Sequence, residues 1–105
     1  MDSSTKELIT TLEELAMLLE SDGDRHWSAW MRRAKSRLEN LDYSGAEYLL
    51  SAYGGMGSFN DLILGQTQID GQLAWKAGHI ELNGRFDELR YKASGLARRI
   101  QKSGR

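Results

Sequence analysis

Neither cysteine nor proline occurs in the sequence, and each absence closes off a class of explanation. Without cysteine there is no disulfide, no thiolate metal site and no Cys–His nucleophile, a composition suited to a reducing compartment. Without proline, and with no low-complexity stretch, nothing marks a linker. No apolar run approaches the roughly 20 residues needed to span a bilayer. The opening MDSSTKEL has no basic segment leading into an apolar one, so no secretory signal is expected and the expected location is cytoplasmic. Histidine is scarce too. His26 and His79 are the only two, and neither stands at ligand spacing from another His or a paired carboxylate, so no metal and no cofactor are expected. There is no Gly-x-Ser-x-Gly elbow. The acid pairs Glu13-Glu14 and Asp87-Glu88 fall on the solvent side of expected helices. The expectation is a non-enzyme.

What is present is helical patterning. A chain of 105 residues suits one domain, here 1–105, with enough apolar surface for one core. Ser4-x-x-Glu7 has the form of a capping box, and Leu8, Leu12, Leu15 and Leu19 then recur at helical spacing until Asp22-Gly23 stops them. Asp24 is placed to cap a second helix whose apolar face is Trp27, Trp30, Met31, Ala34, Leu38 and Leu41. The two tryptophans, one turn apart, are expected in the core. Asp42 is placed to cap a shorter third helix through Tyr43, Ala46, Leu49, Leu50 and Tyr53. Gly45 weakens that helix by about 1 kcal/mol relative to Ala and marks a place where another backbone can come close. A last helix is expected from near Asn83, with Phe86, Leu89, Ala93, Leu96, Ala97 and Ile100 on one face. The predicted fold class is mainly α: a small single-domain bundle of four to five helices with a Gly-rich turn and an irregular or short hairpin excursion.

Charge is segregated along the chain although the net charge is only −1. Residues 1–23 sum to −5, 24–41 to +3, 42–82 to −4 and 83–105 to +5. Helices of opposite sign packed as neighbours explain this pattern. A nucleic-acid-binding helix over 85–105 is the alternative, and the chain as a whole is not basic enough to favour it.

The unusual stretch is YGGMGSFNDLIL. Gly54, Gly55 and Gly57 surround Met56, and Ser58-x-x-Asp61 is a variant capping box opening a short helix over 58–64. Backbone N–H groups at Gly57, Ser58 and Phe59 offer an anion site, although Asp61 adds negative charge there. Beyond it, Asp70-Gly71 between 66–69 and 72–76 is the strongest hairpin signal in the chain. The flanking runs are polar, so a hairpin and a packed loop stand equal. Irregular segments on a rigid scaffold are where recognition usually sits. The candidate binding residues are Tyr53, Gly54, Gly55, Met56, Gly57, Ser58 and Asn60 of the glycine turn, with Trp75 and His79 of the excursion. Trp75 is the expected anchor, being the one tryptophan off a core stripe.

His26, Trp27 and Trp30 in an HW-x-x-W segment, LLSAYGGMGSFNDL from Leu49 to Leu62, and FDELR from Phe86 to Arg90 together carry a resemblance. Over nearly its whole length the chain resembles a family of small bacterial proteins of unknown function, with YGGMGSFNDL the most specific segment. The resemblance implies a compact, mainly helical domain with no established activity, and supplies no catalytic residue. By analogy, proteins of this size and style include immunity partners of secreted bacterial toxins. The expected function is a non-catalytic protein-binding module, toxin neutralisation being its narrowest form, with another protein as partner and no membrane. A small-molecule-binding regulatory domain is the remaining alternative.

Overall fold

The leucine stripe near the N-terminus becomes α1 (Ser3–Ser21), on which Leu8, Leu12, Leu15 and Leu19 are fully buried. The computed structural model describes residues 1–103. Asp2, not Ser4, caps α1: its carboxylate accepts from the Thr5 N–H at 2.8 Å. Asp and Ser are comparable caps, so the earlier one starts the helix first.

α2 (Arg25–Glu39) begins as expected, with Asp24 accepting from the Trp27 N–H at 2.9 Å. Both helices end in Schellman turns. At the first, Gly23 takes the left-handed position, its N–H donating to Glu20 while that of Asp24 donates to Leu19. At the second, Leu41 is forced into that position at φ 62°, with the matching bonds from Leu41 to Leu38 and from Asp42 to Arg37. α3 (Ser44–Leu50) is not capped by Asp42 in the expected way. Tyr43 occupies its cap, and Asp42 instead accepts from the Ser44 N–H at 3.1 Å. Gly45 has a clear role. A Cβ there would lie 2.8 Å from the Ala34 carbonyl oxygen and 2.9 Å from Leu38, so only glycine lets α3 press onto α2.

The expected helix over 58–64 is a single 3₁₀ turn, Phe59–Asp61. Ser58 accepts from the Asn60 N–H, Leu62 is already extended, and the chain runs outward because Leu64 is drawn into the core. A hairpin follows: β1 (Gln66–Ile69) pairs antiparallel with β2 (Gln72–Trp75). Asp70 at φ 54° and Gly71 at φ 79° form the type I′ turn that Asp-Gly signals.

The last helix, α4 (His79–Lys102), starts four residues before Asn83. Asn83 looks like a cap but reaches across the chain instead. Its side chain accepts from the Leu64 N–H and donates to the Leu64 carbonyl, both at 2.8 Å.

α1 packs against both α2 and α4. The segregated charges meet there, as the sequence pattern predicts: Arg32 bonds Glu13 and Glu20, Arg85 bonds Glu14, and Lys92 bonds Glu7. Hydrogen bonds from Arg32 hold the Glu13 and Glu20 carboxyls below the usual range, and those carboxylates raise the Arg32 guanidinium. Phe59 centres the aromatic part of the core, with Trp27, Tyr53 and Phe86 at ring distances of 5.2, 5.4 and 5.4 Å. Trp27 and Trp30 pack partly buried against this core, as expected. Among the described residues, no helix is long and apolar enough to cross a membrane.

Candidate functional site

Among the described residues, the hairpin is anchored at its root. Gly65 donates its N–H to the Asp22 carboxylate at 3.2 Å, and its carbonyl accepts from the Lys76 N–H at 2.7 Å. Lys76 returns to Asp22 through an ion pair of 3.1 Å. Gly65 is at φ 82°, and its Cβ position lies 2.7 Å from the His79 Cβ, so a side chain there would push α4 away. Asn83 fixes the preceding residue, Leu64, from α4. Distal to this root, the strands stand clear: Ile69, Leu73 and Trp75 are all exposed.

A groove of about 630 Å³ opens where the root meets α4. One wall is the 60–63 segment, the other is the first turns of α4, and Trp75 stands at the hairpin side. Trp75 is 50% exposed and stacks on His79 with ring centres 4.7 Å apart. The Lys76 carbonyl can only accept, so His79 must donate to it from Nδ1 at 3.0 Å. That bond orients the imidazole under the indole. Arg90 braces the opposite wall, donating to the Phe59 and Leu62 carbonyls at 2.7 and 3.0 Å while pairing with Asp87. Its guanidinium also lies 4.3 Å from the Phe86 ring centre. The groove therefore has rigid sides.

Of the sequence-derived candidates, Asn60, Trp75 and His79 come together in this groove. Gly57 and Ser58 line a smaller depression beside it, with Trp27 and Gln66. Gly54, Gly55 and Met56 form an outlying tip, where Met56 is 97% exposed. Tyr53 points inward. Its hydroxyl donates to the Arg90 carbonyl at 2.7 Å, and burial pushes its ionisation well above the ordinary tyrosine range. The anion site does not form, because its three donors are already used. The N–H of Gly57 goes to Asp61, that of Ser58 to Gly55 and that of Phe59 to Ala52.

Sequence reasoning missed Ile63 and Ile80, which are 54% and 73% exposed on the groove's two walls. The signal was available. Ile80 lies off the stripe of Leu82, Phe86 and Leu89, and Ile63 alternates with the buried Leu64. Among the described residues, no three His, Asp or Glu side chains converge in the manner of a metal site.

The fold is thus that of a small helical domain carrying one anchored hairpin. Residues 20–71 match the model of a family described as a domain of unknown function, DUF6966. That span is just under half of the chain and ends at the hairpin turn. No curated protein and no solved structure matches the chain.

Proposed function

We propose that this chain is a non-catalytic protein-binding module whose contact surface is the groove together with the adjoining hairpin face. The observation that carries the reading is a set of uncovered apolar side chains in the groove and on the adjoining face of β2. Ile63, Leu73, Trp75 and Ile80 are each at least half exposed there, while the core leucines are fully buried. An apolar patch rimmed by polar groups on a rigid frame is what a protein partner covers. Trp75 is the anchor, held in one orientation by His79. Toxin neutralisation is the narrowest form of this proposal.

Affinity capture with the wild type, Trp75→Ala and Ile80→Asp tests the reading. A stoichiometric partner that both variants lose, with the fold kept and the melting temperature lowered by no more than a few degrees, is the expected result. A partner retained by both variants overturns the assignment of this surface. A loss of several kcal/mol of stability in Trp75→Ala would make Trp75 a core residue and overturn its role as anchor.

A further inference from the structure

Two-stranded hairpins are marginal alone in water, and among the described residues neither edge of this one meets a third strand. In the register Thr67↔Ala74 and Ile69↔Gln72, the two-residue turn makes Ile69 and Gln72 exchange hydrogen bonds. Alternation extends this to Thr67 with Ala74 and to Gly65 with Lys76, and the Lys76-to-Gly65 bond agrees. The backbone groups of Leu73 and Trp75 therefore point out of the free edge of β2. Among the described residues, neither residue's backbone meets a partner there. Natural edge strands block unwanted pairing with charge, proline or a bulge. β2, reading Gln-Leu-Ala-Trp, has none of these.

We propose that β2 pairs antiparallel with β2 of a second copy, about a two-fold axis through Ala74, giving a four-stranded sheet. The register is self-complementary. Centring on Ala74 sets the outward groups of Leu73 against those of Trp75 of the second copy, and the reverse, with each pair exchanging both of its hydrogen bonds. Leu73 and Trp75 then form aliphatic–aromatic cross-strand pairs on the exposed face. Ala74, the smallest side chain of the strand, takes the closely spaced position at the axis. The same operation on β1 would pair only Gln66 with Gln68.

Charge is compatible with this pairing. β2 is uncharged, and the chain carries only −1. So short a strand pair buries less than the ~1,200 Å² of a stable interface, so the dimer is weak and depends on concentration. Pairing through the edge leaves the Trp75 face open, so this inference does not depend on the groove's having another partner.

The cysteine-free chain allows a direct test. Ala74→Cys places two thiols at the axis, where Cα atoms about 4.5 Å apart lie within disulfide range. In oxidised glutathione it should form a covalent dimer roughly tenfold faster than Thr67→Cys on β1. Adding Leu73→Pro removes an outward N–H but no bond within the hairpin, and should abolish the difference, whereas Gln68→Pro on β1 should preserve it. Equal rates for the two cysteines, or cross-linking indifferent to Leu73→Pro, overturn the proposal. Sedimentation of the wild type supplies an independent measure. A monomer persisting to millimolar concentration overturns self-pairing and leaves β2 to a strand of another protein.

Discussion

Phe59 and Trp75 are both aromatic residues outside the long helices, and their surroundings are opposite. Phe59 is fully buried among Trp27, Tyr53 and Phe86, and its carbonyl accepts from Arg90. Trp75 is half exposed, and its ring partner is His79. The glycine-rich segment, irregular as it looks in sequence, is thus tied into the core through Phe59. The hairpin has regular hydrogen bonding and almost no tertiary cover. Regular backbone and structural importance are therefore separate properties here. The bundle holds its shape by packing, and the hairpin holds its position by its root.

Substitutions can break that contrast, and Phe59→Ala should have the largest effect. Emptying that site should lower stability by about 3–5 kcal/mol in urea denaturation. A much smaller loss would mean that the 59–62 segment is not part of the core. Gly45→Ala should come next, losing about 1–3 kcal/mol as α3 is pushed off the Ala34 carbonyl. Helix propensity alone predicts a gain of about 1 kcal/mol, so the sign decides between the two effects. Leu41→Gly should raise stability by about 1 kcal/mol. It relieves the left-handed backbone at φ 62°, and the 59%-exposed side chain surrenders little burial.

Acid sharpens the same comparison on the helical side. The folded-state ionisations of Glu13 and Glu20 are depressed, chiefly by hydrogen bonds from Arg32. Their contribution is therefore present above the ordinary value of 4.5 and is lost as pH falls through the folded values. The urea midpoint should fall on acidification in that window, and Arg32→Met should flatten the fall. A midpoint with the same acid dependence in both proteins would remove these pairs from the account. Trp75→Ala should have the smallest effect on stability, about 0.5 kcal/mol from its stack on His79.

Much of this was legible in the sequence. Spacing placed the core faces of α1 and α4, and that of α2 except for Leu41, which lies past the helix end and is exposed, and Asp70-Gly71 carried the hairpin turn. Charge blocks anticipated that helices of opposite sign pack as neighbours. What was not legible depended on long-range contacts. Asn83 has the chemistry of a cap and is spent on Leu64, which hid the true start of α4 and with it the exposure of Ile80. Ser58 and Asp61 have the form of a capping box, yet Leu64 and Asn83 pull the chain straight before a helix can extend. At the candidate site, Trp75 was found because it stood outside a helical stripe, and Asn60 and His79 because they belong to the irregular segments beside it. Tyr53 was included although it faces inward, because exposure at the edge of a turn is decided by a hydrogen bond 37 positions away.

The root of the hairpin has a consequence for how such a protein can diversify. Asp22, Gly65, Lys76 and Asn83 fix where the two strands leave the body, and none of them lies between 66 and 75. The exposed strand side chains Ile69, Leu73 and Trp75 therefore carry little of the fold. Descendants of one ancestor would be expected to keep those root residues and the Asp70-Gly71 turn while exchanging Ile69, Leu73 and Trp75 as their partners change. The hairpin behaves as a replaceable cassette on a fixed socket.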